Sequence, residues 1–548
     1  MNARKTVIFG LDGACFHYLQ PWLDEGTLPT IQDLIGRGGC AALESCVPAT
    51  TPPAWTSLTT GVNPGKHGIF GFYTRQKNTY QTRPVSNADV YARRLWEYAS
   101  EAGLTSLVLN VPVTHPPREI SGTVIPGYIA QDSPETYPAD ILDQLGLTGY
   151  SVYAPSEARD VPSDQLLTEW LELTDSRREL ALSSMTAFDW DLLFLQFQKT
   201  DGAVHKFTDR EKIRRVFERV DASMKTILEA VDGDPNVFVV SDHGIGQEKE
   251  WTIALNTVLA QAGYVETTKK QSREETWLEQ NIFTSDQTDG ASNGLERVLR
   301  TLGSVGVTKQ QIERLLSTVG MYNLVASYAP AGLGDSLEEE TVDHERSTAF
   351  YEGMGFSGVD IGVIVNDDRF YSSEVVSAEE YGEVRDEVMH LLETLEGPAG
   401  KPFVNVTPRE DVYHGSRVEY APDIILEQAP PYVIGSDQPR GKAFIPTDDG
   451  RIDHTRHGLI VAAGPDIRDG WSLEQTPSIT DVTPTVLQLL EVPLNSRFDG
   501  TVLEPVLRTD AEPSVERYDE YEPNRRSQRT RSEQTKLRER LQGMGYLE

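Results

Sequence analysis

Residues that could ligate a divalent cation or attack an electrophile fall in five short stretches of this chain: Leu11-Asp12-Gly13, Pro48-Ala49-Thr50-Thr51-Pro52-Pro53-Ala54-Trp55-Thr56-Ser57, Thr200-Asp201-Gly202-Ala203-Val204-His205, Val239-Val240-Ser241-Asp242-His243-Gly244 and Asp453-His454-Thr455-Arg456-His457-Gly458. Each has a plain structural explanation. Asp12 before Gly13 suits a turn, Thr51 before Pro52 suits a helix cap, and Asp201 could cap a helix with His205 an unrelated surface residue. Taken together they supply three Asp, two or three His and one Thr, a donor set of nitrogen and oxygen without thiolate that matches a pair of zinc-like sites. Two cations a few Å apart can hold both the attacking and the leaving oxygen of an in-line phosphoryl transfer. A threonine hydroxyl at a helix N-terminus, where N–H groups and the helix dipole favour an anion, is placed to be the attacking group once a metal or base helps remove its proton.

Several secondary-structure elements must converge for these residues to act as one site. Short apolar runs alternate with longer amphipathic stretches, the pattern of a mostly parallel sheet covered by helices. The clearest predicted strands are Val7 to Leu11, Ser106 to Asn110, Leu192 to Gln198, Val237 to Ser241 and Leu459 to Ala463. Sites in such sheets form at the carboxyl ends of the strands, and Asp, His or Asn follow four of these five. A helix starting at Asp201 would set Asp201 and His205 on one face. Asp242 and His243 would converge through a turn at Gly244. Another helix is expected from Thr51 through Leu58.

The chain reads as a catalytic core over residues 1–245 and 452–509, an inserted cap region over 246–451 that partly contributes to the core, and a charged linker with a C-terminal helix over 510–548. Within the cap a helix is expected around Leu295 to Leu302, a strand over Val359 to Val365 and a helix over Ala378 to Leu395. In the tail helix, Leu537 and Leu541 would share one face. Asp499-Gly500 is expected to be a turn.

Of 548 residues, 38% are hydrophobic, enough for a large core, and the formal net charge is −34. Such a surface disfavours non-specific binding to nucleic-acid backbones or anionic membranes, and leaves no basic patch for nucleic acid. It suits a salt-rich cytoplasm, in the manner of halophile proteins. Cys15, Cys40 and Cys46 form an odd, sparse set, which points to a reducing compartment and no disulfide framework. Thr6-Val7-Ile8-Phe9-Gly10 is too short for a signal-peptide core. No apolar stretch approaches the ~20 residues of a membrane span. The expected location is cytoplasmic; the oligomeric state is left open.

Further motifs accompany the five: Phe9-Gly10-Leu11-Asp12-Gly13, Thr60-Gly61-Val62-Asn63-Pro64-Gly65-Lys66-His67-Gly68-Ile69, Asn110-Val111-Pro112, Tyr420-Ala421-Pro422-Asp423, Ala463-Gly464-Pro465, Asp481-Val482-Thr483-Pro484-Thr485 and Leu541-Gln542-Gly543-Met544-Gly545-Tyr546-Leu547. In this order the sequence resembles the alkaline phosphatase superfamily, in its type I phosphodiesterase/nucleotide pyrophosphatase branch and the group of predicted phosphohydrolases or phosphomutases. The resemblance implies an α/β, alkaline-phosphatase-like three-layer sandwich with a mostly parallel central sheet and an inserted cap region. It implies one metal held by Asp201, His205 and a late histidine, and a second held by Asp12, Asp242 and His243, with Thr51 the nucleophile and a ligand between them. The late histidine is His454, with His457 as the alternative. Zinc is the expected metal, with manganese or magnesium as alternatives.

The sequence departs from the nucleotide pyrophosphatases where an Asn that holds a phosphate oxygen is expected, near Phe72; Asn110 and Lys66 are the substitute candidates. Thr51-Pro52-Pro53 lacks the context of a sulfatase formylglycine. His67 is expected to be structural, and His17, His115, His344, His390 and His414 ordinary packing or surface residues. The implied activity is hydrolysis of a small-molecule phosphate ester. A phosphomutase of the same superfamily is the alternative, and a non-catalytic metal-binding scaffold the remote one.

Overall fold

The computed structural model describes residues 4–75, 79–157, 159, 161–270, 339–352, 361–369, 375–435, 439, 441–447, 452–509, 512–519, 521–523, 534 and 537. The helix expected around Leu295 to Leu302 and the tail residue Leu541 lie outside them.

Seven strands form the central sheet: β1 (Thr6–Leu11), β2 (Gly39–Glu44), β3 (Ser106–Leu109), β4 (Gly122–Ile125), β5 (Leu192–Phe197), β6 (Asn236–Val240) and β7 (His457–Ala463). Their order is β2-β7-β6-β1-β5-β3-β4. β1, β5 and β6 are wholly buried, which is why they read as continuous apolar runs and not as alternating ones. Helices cover both faces, and two large hydrophobic clusters, one per face, form the core. β1 is central and lies parallel to both β5 and β6, so the chain segments after all three emerge at one edge.

β7 alone runs the other way, antiparallel to β6 and β2. Its start, not its carboxyl end, therefore faces the edge where β1, β5 and β6 finish. The expectation that the site residues follow strand ends holds for Asp12, Asp201, Asp242 and His243, but His454 arrives from ahead of its strand.

The sequence between Trp251 and Pro446 builds separate sheets. Ala349–Tyr351, Ile361–Val365, Ile424–Gln428 and Phe403–Pro408 form one, in that order, and Tyr432–Ile434, Trp251–Ile253 and Phe444–Pro446 form another. They share a hydrophobic cluster of their own. The helix expected over Ala378 to Leu395 spans Tyr381–Glu393. Two strands join this region to the sheet edge, Gly244–Glu248 pairing antiparallel with Ile452–Thr455.

In the tail, Val515–Glu516 pairs parallel with Leu494–Asn495. Leu537 is buried within the cluster beneath β1 and β5.

Candidate metal centre

Ahead of Asp12, β1 runs between β5 and β6, and a turn at Gly13 follows it. Gly13 has φ +66°, and a Cβ there would stand 2.8 Å from Asp201 Oδ1. Only glycine meets both demands, the left-handed backbone and the close approach of a second carboxylate. The Gly13 N–H donates to Asp242 Oδ1 at 3.2 Å, so one turn aligns all three aspartates.

The helix that carries Asp201 spans Lys199–Lys206, two residues earlier than expected. One turn separates Asp201 from His205, and His205 Nε2 lies 3.2 Å from Asp201 Oδ1. His454 Nε2 lies 2.9 Å from His205 Nε2 and 3.5 Å from Asp201 Oδ1. On the other side, His243 Nε2 lies 3.5 Å from Asp12 Oδ1 and 3.3 Å from Asp242 Oδ2. Bonds of about 2.0–2.1 Å to a tetrahedral zinc ion would separate ligand atoms by about 3.3 Å. These separations scatter around that value in both groups of three. The two groups adjoin: the His243 and His454 rings stack with centroids 3.9 Å apart, and the ligand atoms of Asp201, His243 and His454 fall within 4.8 Å of one another.

Three observations on the donor set fit a pair of cations. Asp242 Oδ2 and His243 Nε2 are buried and make no hydrogen bond. The second nitrogen of His243, Nδ1, lies 3.1 Å from the Gly244 carbonyl; donating its proton there leaves the lone pair on Nε2, facing the carboxylates. Burial, reinforced by repulsion from Asp201, pushes Asp12 well above the usual carboxylate range. Burial and the Asp12 charge do the same to Asp242. Burial also pushes Asp201 up, but the His205 and His454 imidazoles outweigh it and hold that carboxyl well below its usual range. Burial and neighbouring His454 keep His243 neutral by lowering its pKa. Three carboxylates this close and this dry need positive charge among them.

Thr51 is the first residue of the Thr51–Thr60 helix, with Thr50 extended before it. The cap position therefore falls one residue earlier than expected, and Thr51 itself sits in the first turn. Its Oγ1 stands 3.4 Å from Asp12 Oδ1. Every residue of this helix is buried, so the hydroxyl is held by the core.

His454 and not His457 joins the cluster. In the Ile452–Thr455 strand, His454 is the register partner of Ile245, which places it beside the His243 turn, whereas His457 is exposed on β7 opposite Glu44.

The two substitute phosphate-binding candidates go elsewhere. Lys66 lies past the far end of the Thr51–Thr60 helix, whose ten residues span roughly 15 Å. Its ammonium is taken by Asp499 and the Arg497 carbonyl. Asn110 is buried and donates to the Gln196 carbonyl at 2.8 Å.

Asp499 is also more than a turn residue, since it accepts from Asn63 and pairs with His414 as well. His414 thus has the partner that its sequence context did not reveal. His67 is buried; its Nδ1 accepts from the Ile69 N–H at 3.1 Å, so Nε2 donates to Ser57 Oγ at 2.9 Å. That is a packing role. His344 stacks on Tyr80, and His17 and His390 are exposed.

Two residues around Asp12 were not singled out from the sequence. Trp55 Nε1 and Gln196 Nε2 both donate to Asp12 Oδ2, at 3.0 and 2.8 Å. One signal was present for each: Trp55 lies one helical turn after Thr51, and Gln196 is the one polar residue in the apolar run of β5.

Residues 6–306, more than half of the chain, match the family described as type I phosphodiesterase / nucleotide pyrophosphatase. The chain belongs to this family. It is a phosphoester hydrolase, metal-dependent as the family is. Among solved structures the fold is similar to phosphonoacetate hydrolase from Sinorhizobium meliloti 1021 in complex with phosphonoformate, with TM-score 0.54 and 14% identity over 90% of this chain and 96% of that one. It is also similar to human ectonucleotide pyrophosphatase/phosphodiesterase 5, with TM-score 0.50 and 14% identity over 92% of this chain and 100% of that one. Both likenesses carry the alkaline-phosphatase-like architecture. No described helix of this phosphodiesterase-family chain is long and apolar enough to cross a membrane.

Proposed function

We propose that this family member hydrolyses a small-molecule phosphate ester with Thr51 as its nucleophile, beside two divalent cations. Asp201, His205 and His454 would hold one cation, and Asp12, Asp242 and His243 the other. The observation that carries the reading is the Thr51 hydroxyl, 3.4 Å from an oxygen of Asp12 and rooted in a fully buried helix. The all-nitrogen-and-oxygen donor set and its near-tetrahedral separations favour zinc, with manganese or magnesium as alternatives. When bound, such ions supply positive charge for the attacking and leaving oxygens and ease loss of the hydroxyl proton.

The residues of the chain perform the rest. Thr51 Oγ1 attacks phosphorus as the ester P–O bond breaks in line, and the alcohol or phosphate leaving group departs. The product is a phosphothreonine. Water then attacks that phosphorus, the P–Oγ1 bond breaks, and Thr51 regains its proton. Two inversions give net retention at phosphorus. In the first turn of the Thr51–Thr60 helix, Pro52 and Pro53 carry no N–H and the Ala54 N–H donates to the Thr50 carbonyl, so the Thr51 N–H is the backbone donor of that turn that would meet a phosphoryl oxygen. Burial of Thr51, Asp12 and Asp242 keeps bulk water from competing.

The test is a rapid quench of the zinc- or manganese-loaded full chain, followed by mass spectrometry of the Thr51 peptide. It would be run with an aryl phosphodiester, an aryl phosphomonoester, a dinucleoside pyrophosphate and phosphonoacetate. A phosphorylated Thr51 and free product are expected with at least one ester. Full turnover by Thr51→Ala would defeat the nucleophile assignment. Retention of the phosphoryl group on an isomer of the substrate would make the protein a mutase. The three cysteines, none of them in a disulfide, support a reducing, cytoplasmic setting for this activity.

A further inference from the structure

Asn110 does not reach the metal cluster directly, yet it touches a side chain that does. It sits immediately after β3, buried, with a left-handed backbone at φ +60° that Asn adopts more readily than most residues. Besides its bond to the Gln196 carbonyl, its Nδ2 lies 3.2 Å from Gln196 Oε1. The hydroxyl of Tyr150 in turn donates to Asn110 Oδ1, at 3.4 Å. An amide whose oxygen is engaged on one side can present only its NH2 to the other. The Gln196 NH2 thereby points at Asp12 Oδ2, which it shares with the Trp55 indole N–H.

The backbone makes room for this arrangement. Gly10 is the register partner of Gln196 on the neighbouring strand. A Cβ on Gly10 would come within 2.5 Å of the Trp55 ring and 3.2 Å of Gln196 Cγ. With Oδ2 taken by two donors, Asp12 keeps only Oδ1 to offer, the oxygen that faces Thr51 and His243.

We infer that Asn110, Gln196 and Trp55 are positioning residues that fix Asp12 as a one-oxygen ligand, with Asn110 acting through the orientation of the Gln196 amide. This rests on the metal reading above, but not on Thr51 chemistry. Outer donors of this kind typically change metal affinity by about 10–100-fold. Asn110→Asp replaces the donor with an acceptor and should turn the Gln196 amide, so that its oxygen meets Asp12.

The test is Co2+ titration of the metal-free full chain, followed by visible absorption, with the metal-free melting temperature measured alongside. For Asn110→Asp, one of the two cobalt equivalents should weaken by about 10–100-fold, as in Gln196→Met, while the other keeps its affinity. In the Gln196→Met background, Asn110→Asp should add little, because its effect passes through that amide. Trp55→Phe keeps the ring packing, removes one donor and should weaken the same equivalent. Wild-type affinity in Asn110→Asp, full additivity with Gln196→Met, or weakening matched by a fall in the metal-free melting temperature would overturn the proposal. Two normal cobalt equivalents without ester hydrolysis would defeat the proposed function and leave this relay standing. Absence of cobalt binding in the wild type would defeat both.

Discussion

His205 and His454, 249 positions apart in the chain, face each other through their Nε2 atoms at 2.9 Å. One comes from a helix after β5 and the other from a strand before β7, and Asp201 Oδ1 lies 3.2 and 3.5 Å from the two nitrogens. Three donors converging on one point is the arrangement of a cation cage. His205→Ala should therefore remove one of two metal equivalents and lower turnover by at least about 100-fold. Elemental analysis of purified variant and wild type checks the first, and steady-state rates the second.

Metal removal should also destabilise the fold. A ligand present at 100 times its Kd adds about 2.7 kcal/mol to stability, so dialysis against a chelator should lower Tm, and zinc should restore it. An unchanged Tm after complete metal loss would show that the ion binds the folded cluster no more tightly than it binds the unfolded chain.

Thr51→Ala should lose on the order of 10³-fold or more in turnover, while both metals remain bound. Thr51→Ser keeps the hydroxyl and should retain a phosphorylated intermediate. Mass spectrometry of quenched samples separates the two variants.

Gly13→Ala should cost about 1–3 kcal/mol, since alanine is strained at positive φ. Because the added methyl points at Asp201 Oδ1, metal content should fall as well. Denaturant melts of metal-free protein measure the first effect, and metal analysis of the folded fraction the second.

His67 provides a pH prediction away from the metal ligands. Burial, followed in size by repulsion from Arg94, drives its pKa well below 6.5. The unfolded chain takes up a proton near pH 6.5 that the folded chain refuses. The contribution of His67 is thus fully present above that pH and is lost as pH falls toward its folded value, with a slope of at most about 1.4 kcal/mol per pH unit. Stability measured from pH 7.5 to 5 should fall less steeply in His67→Gln than in wild type.

Lys199 and Glu157 form a buried ion pair under Trp170. Glu157→Gln leaves a buried ammonium without its counter-charge and should cost about 3–5 kcal/mol. Lys199→Met combined with Glu157→Leu should recover most of that loss in urea melts.

Much of the central sheet could be read along the chain because β1, β3, β5 and β6 are short apolar runs that end in polar turns. The expected strand bounds differ from the observed ones by one residue or so, as at Val237 against Asn236. Thr51 was legible as a helix start from the Pro that follows it, although the cap itself is Thr50. Asp201 and His205 were legible as a pair from helical spacing alone.

Direction, register and reach across the chain were not legible. Nothing local marks β7 as the antiparallel strand, yet that reversal brings His454 to the site and leaves His457 outside. Lys66 looked available for phosphate until Asp499, 433 positions later, claimed it. Asp12 and the donors to its Oδ2, Trp55 and Gln196, are 43 and 184 positions apart. The sequence by itself determined which residue types are present and how each is presented over one turn or one strand, because those follow from bonds between near neighbours. Which carboxylate oxygen faces which imidazole was decided only when β1 settled between β5 and β6, since a one-residue slip of that pairing would turn every side chain on the strand to the opposite face.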